Sequence, residues 1–169
     1  MMDHRECFTR GELLRGVDFV FHTACPLFEK PKMSDNEESI RKYVEATQTL
    51  MEASVRAKVK KVVFTASASS VVGCHPVKEE GFVYKDQWAW VSAKAINKPN
   101  EKAKLLAEKV CWSEIKKQDA LPESMEKTTL VTLLPYFMVG PPLYQDLIRT
   151  NSSCMAINSI LTNEQYAFP

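Results

Sequence analysis

The chain has 169 residues, and its 22 Lys and Arg nearly cancel 21 Asp and Glu to leave a net charge of +1. That length fits one domain around one core. The charge balance excludes a broad basic face for nucleic acid or an anionic membrane surface.

In chain order, the N-terminal Met-Met-Asp-His-Arg-Glu-Cys is polar and lacks the apolar run of a signal peptide. Residues 1–16 read as a surface lead-in punctuated by Gly16. Val17-Asp-Phe-Val-Phe-His-Thr-Ala24 is a short apolar run rich in β-branched and aromatic residues, closed by Pro26, and predicts a buried strand. Ser34 or Asp35 can cap a following helix, with Glu37 and Glu38 in its first turn. Ile40, Tyr43, Val44, Thr47, Leu50, Met51 and Val55 mark one face of that helix, which should run over residues 35–56.

Arg56-Ala-Lys-Val-Lys-Lys61 is a basic run without interleaved aromatics, so it reads as a solvated connection. Lys60-Lys-Val-Val-Phe-Thr-Ala-Ser67 predicts a second buried strand that runs into a loop of small residues. Residues 73–98 read as irregular, with Trp88 and Trp90 as anchors. Pro99 pre-sets a helix start, and Leu105, Leu106, Val110 and Ile115 recur at helical spacing with Lys104 beside them. A polar linker at 118–127 leads to a third strand at 128–134, stopped by Pro135. A short helix is expected around 150–161.

The order strand, helix, strand, helix, strand predicts parallel pairing through right-handed crossovers. The expected fold class is therefore α/β, a partial Rossmann-like doubly wound parallel sheet with strands near 17–23, 61–66 and 128–134 and helices near 35–56 and 99–117. The five cysteines (7, 25, 74, 111 and 154) form no C-x-x-C, and they read as reduced thiols of a cytoplasmic protein. His4 with Cys7 has no partner pair, so no metal site is expected. The longest apolar stretch, residues 130–143, holds three prolines and is too short to span a bilayer.

Residues 97–112, Asn-Lys-Pro-Asn-Glu-Lys-Ala-Lys-Leu-Leu-Ala-Glu-Lys-Val-Cys-Trp, resemble the Tyr-x-x-x-Lys helix of the extended short-chain dehydrogenase/reductases. The similarity is to the dihydroflavonol reductase, cinnamoyl-CoA reductase and 3β-hydroxysteroid dehydrogenase-like branch of the NAD-dependent epimerase/dehydratase superfamily. The lysine falls on Lys104, and the tyrosine falls on Asn100. Val62-Val-Phe-Thr-Ala-Ser-Ala-Ser-Ser70 is similar to the branch's V-F-T-S-S-A-x-T, and Gly16-Val-Asp-Phe-Val-Phe-His-Thr-Ala-Cys-Pro26 to its fourth strand. Leu134-Pro-Tyr-Phe-Met-Val-Gly-Pro-Pro-Leu143 resembles its segment after the sixth strand.

The resemblance implies hydride transfer between NADP or NAD and a small-molecule carbonyl or alcohol. It puts Ser67 on the substrate oxygen and Lys104 on the nicotinamide ribose. His22, Thr23, Ala24, Pro135 and Met138 would line the cofactor. An amide at Asn100 has no proton to exchange at neutral pH, and losing general acid/base help costs roughly 10²–10⁴-fold in rate. Nowhere in the sequence does a tyrosine precede a lysine by four residues. The glycines stand at 11, 16, 73, 81 and 140, so the G-x-x-G-x-x-G turn that cradles the diphosphate is not among these residues either.

The resemblance therefore implies a copy truncated at both ends. Residues 1–143 would be the second half of a nucleotide-binding domain, and 144–169 the start of a substrate lobe. Such a chain would be inactive or weak as a reductase. The alternatives are a non-catalytic assembly module, joining a second copy or a longer relative through the open strand edge at 17–23, or a truncated product without function.

Overall fold

A computed structural model describes residues 13–25, 36–72, 90–136, 138 and 157. The elements are β1 (Phe19–His22), α1 (Glu37–Arg56), β2 (Lys61–Thr65), α2 (Ser69–Val72), α3 (Pro99–Lys116) and β3 (Thr129–Leu133), with 3-10 turns at Ala93–Ala95 and Lys117–Ala120. The chain divides into two compact units, Met1–Leu134 and Pro135–Pro169. All six elements belong to the first.

The three strands form one parallel sheet in the order β1-β2-β3. Val62 pairs with Val20 and Leu130, and Phe64 pairs with His22 and Thr132. Side chains alternate across a strand. One face thus carries Val20, Val62, Phe64 and Leu130 into the core, and α1 and α3 pack against each other over it. The other face presents Phe19, Phe21, Val131 and Leu133, all more than a third exposed. Strands taken in sequence order through right-handed crossovers place their helices on one side. The described sheet is therefore a single winding of the expected Rossmann-like layer.

The sequence pattern located these elements to within two residues at each end and missed two details. The small-residue segment after β2 is not all loop, because Ser69–Val72 makes a helical turn. On α3 the fully buried set is Ala103, Leu105, Ala107, Glu108, Cys111 and Glu114, while Leu106, Val110 and Ile115 stay half-buried. Leu105 is buried as expected, and Leu106 and Ile115 pack against the core from partly buried positions.

Pro99 occupies the first turn of α3, and Lys98 before it is extended (φ −95°, ψ 127°), as the proline ring requires. Gly16 turns the chain into β1 with φ +75°, a region that other residues rarely adopt. Trp90 is not a buried anchor. It keeps 37% of its surface exposed, with Lys109 Nζ 5.6 Å above its ring. Trp88, His4, Cys7 and the caps at 34 and 35 lie outside the described residues, as does the helix expected near 150–161 apart from Ile157. No described helix is long and apolar enough to cross a membrane.

Candidate active site

Parallel strands end along one edge, where α/β sheets bind their ligands. Here that edge carries His22 to Cys25 after β1 and Thr65 to Ser70 after β2, with α3 alongside. Lys104 projects from the second turn of α3, and its Nζ donates to the carbonyl oxygen of Thr65 at 2.6 Å. The same ammonium lies 5.6 Å from the Phe64 ring centre and 5.9 Å from that of Tyr43. Burial holds the Lys104 amine below its ordinary range, partly offset by the nearby Cys25.

His22 is buried beneath this lysine. Its Nε2 is 3.2 Å from Thr47 Oγ1, and Thr47 already donates its one hydroxyl hydrogen to the Tyr43 carbonyl at 2.9 Å. Thr47 can then only accept, so His22 carries its hydrogen on Nε2. The imidazole meets Phe64 edge-on at 5.2 Å and Tyr43 at 6.0 Å. Burial first, and then the charge of Lys104, push its pKa down from 6.5 to about 4. His22 is thus a neutral imidazole built into the core at the strand end, while Thr23 and Ala24 after it are exposed.

The ring that stands beside Lys104 is Tyr43, from α1. Its hydroxyl donates to the Ala24 carbonyl at 3.0 Å. Burial is the main cause that raises its pKa far above the usual phenol range. The Tyr43 phenol is thus held as a hydrogen-bond donor to the backbone of the β1 end. Asn100 itself is exposed, one turn before Lys104 on the same helix.

Ser67 is half-buried just past β2. Its Oγ accepts from the Ser69 hydroxyl at 2.9 Å and the Ser69 amide at 3.3 Å. Ser67 and Lys104 are therefore brought to one edge, since Lys104 grips the backbone two residues before Ser67. Pro135 and Met138 belong to the second unit and are described apart from this edge. Sequence reasoning missed Tyr43, Thr47, Ser70 and Glu108 as neighbours of the site. Glu108 had a usable signal, an acidic residue four positions after Lys104 and hence on the same face of α3.

Because Lys104 depresses His22, Lys104→Met should move the His22 pKa upward. Titration of its imidazole proton signals by NMR would check this; an unchanged midpoint would mean the two groups do not feel each other.

Residues 5–132 match the 3-beta hydroxysteroid dehydrogenase/isomerase family. The chain belongs to that family. Among individual relatives, it is 30% identical over 148 residues to cinnamoyl-CoA reductase 2 of Arabidopsis thaliana, covering 87% of this chain and 40% of the relative. It is 29% identical over 157 residues to an anthocyanidin reductase of Vitis vinifera, covering 89% of this chain and 43% of the relative. This family member thus spans less than half the length of the curated reductases it matches.

The fold agrees with that membership. A yeast methylglyoxal/isovaleraldehyde reductase complexed with NADPH superimposes with a TM-score of 0.66 at 19% identity, over 96% of this chain and 49% of the other. A UDP-glucuronic acid 4-epimerase from Bacillus cereus in complex with NAD gives 0.57 at 20% identity, over 91% of this chain and 42% of the other.

Proposed function

We propose that this chain carries the substrate-side half of an NADP- or NAD-dependent carbonyl reductase site, and that its 169 residues alone transfer hydride weakly or not at all. Family membership and the named reductase relatives support the reaction class. The observation that carries the reading is the pairing of Lys104 and Ser67 at one strand-end edge, with an amide at Asn100 where the reaction needs an acid.

When bound, a nicotinamide cofactor supplies the hydride. Of this chain's residues, Lys104 Nζ would hold its ribose with the donors left over from Thr65, and Ser67 would hold the substrate oxygen. The diphosphate is the part that does not fit. No glycine-rich turn occurs in these residues, so no step is assigned through the cofactor. Residues 1–143 as half of a nucleotide-binding layer, and 144–169 as the beginning of a substrate lobe, belong to the same reading. The cysteine usage supports a reducing, cytoplasmic setting.

The test is a cofactor titration followed by a turnover assay. NADPH and NADH added to micromolar levels should leave the fluorescence of Trp88, Trp90 and Trp112 without a saturable change. Asn100→Tyr should restore no carbonyl reduction, because the phosphate cradle is lacking as well as the acid. Turnover by either chain at the level of an intact reductase sinks the reading.

One observation favours a second reading, association through β1. That strand is at the sheet edge among the described residues, Phe21 on it is 71% exposed, and an open cavity of about 630 Å³ beside it is lined by Leu14, Val20, Tyr43 and Leu50. Exposed apolar strand edges recruit further strands. Hydrogen exchange at residues 18–23 decides it: strong protection in a dilute monomer would remove the need for a second copy or a longer relative.

A further inference from the structure

We infer that Glu108 is a positioning residue that acts through Ser70 to fix the backbone presenting the Ser67 hydroxyl. The inference rests on the reading of Ser67 as the group that meets the substrate oxygen.

Glu108 is 3% exposed, in the middle of α3, where a carboxylate is costly unless it is given partners. Its Oε2 accepts from Ser70 Oγ at 2.7 Å. Ser70 is fully buried, and its Oγ also lies 2.7 Å from the carbonyl oxygen of Ser67. The single Ser70 hydroxyl hydrogen is therefore shared between the helix carboxylate and the Ser67 carbonyl. The Ser70 amide adds a second bond to the same carbonyl at 3.0 Å. The carbonyl of Ser70 in turn accepts from the Val91 amide at 3.0 Å, so the segment that leads into α3 hangs on the same residue.

Spacing on α3 completes the arrangement. Residues 100, 104 and 108 are four apart and share one face. Lys104 holds Thr65 O, two residues before Ser67, and Glu108 holds Ser70, three residues after it. The helix thus grips the chain on both sides of Ser67. Within the grip, the Ser69 amide and hydroxyl both donate to Ser67 Oγ, so the Ser67 hydroxyl serves as acceptor there and keeps its own hydrogen for an oxygen outside the loop. Such a grip fixes the direction of one donor, which is what orientation of a carbonyl requires.

The test is amide hydrogen exchange in the intact chain, comparing the loop amides of Ser70, Val71 and Val91 with the strand amides of Val62 and Phe64. Glu108→Ala should speed the loop amides about tenfold or more, the scale set by loss of a buried hydrogen bond to a charged group. The strand amides should change much less. Ser70→Ala should act alike, the double variant should add little, and Glu108→Gln, which can still bond the Ser70 hydroxyl, should stay near the wild-type pattern. Equal acceleration of loop and strand would make Glu108 a general stabiliser and overturn the inference. So would an unchanged loop. If Glu108→Ala does not fold, Ser70→Ala against Glu108→Gln gives the same decision. Turnover by the wild-type chain at the level of an intact reductase would sink the functional reading and leave this comparison intact.

Discussion

Phe64→Ala is expected to lower the unfolding free energy by about 3–5 kcal/mol, the range for deleting a fully buried aromatic ring. Phe64 has no exposed surface and is centred in β2 between His22 and Thr132 of the flanking strands. It also supports two site residues, since the His22 ring packs edge-on against it and Lys104 Nζ lies over it. A domain of this kind has roughly 5–15 kcal/mol in all, so the loss is a large share of the whole. Phe64→Leu keeps most of the volume and should cost less than about 1.5 kcal/mol. Urea unfolding at pH 7 measures both. A cost below about 1 kcal/mol for the alanine variant would mean that the core does not rest on this ring.

Acidification should weaken the fold by about 3 kcal/mol through His22 alone. The folded-state pKa of about 4 lies below the ordinary 6.5, because the ring is buried and faces the ammonium of Lys104. The other groups around it, Thr47, Tyr43 and Phe64, offer no negative charge to an imidazolium. Between pH 6.5 and 4 the unfolded chain takes up a proton that the folded chain refuses. Stability is complete above the higher value, falls as the pH drops through this window, and levels off below it. Subtracting the profile of His22→Gln from that of the wild type, both from urea unfolding between pH 7 and 4, isolates this residue. Parallel profiles would show that His22 protonates as easily folded as unfolded.

The α1 helix and the three strands were legible because each depends on a local pattern. Ile40, Tyr43, Thr47 and Met51 recur at helical spacing, and the β-branched runs at 61–65 and 129–133 are stopped by small residues or proline. The start of α3 at Pro99 was equally local. Its buried face was not. Hydrophobicity pointed to Leu105, Leu106, Val110 and Ile115; packing buried Leu105 fully but set beside it Ala103, Ala107 and Cys111 together with two carboxylates. A buried acid is invisible to a pattern that counts apolar residues, because what permits its burial is a partner far along the chain. Gln48 meets Glu114 from 66 positions away, and Ser70 meets Glu108 from 38.

The site divides in the same way. Family motifs in the sequence singled out Ser67, Lys104 and Asn100, because spacing along a helix and after a strand is a local property. That His22 meets Thr47, that the Tyr43 hydroxyl is tied to the Ala24 carbonyl, and that Glu108 reaches Ser70 each join residues 19 to 38 positions apart. Amino-acid order by itself determined which elements form, their parallel arrangement, and the amide at Asn100 one turn before Lys104. Tertiary structure alone decided which polar groups face one another, since a hydrogen bond depends on distances that the sequence pattern does not contain.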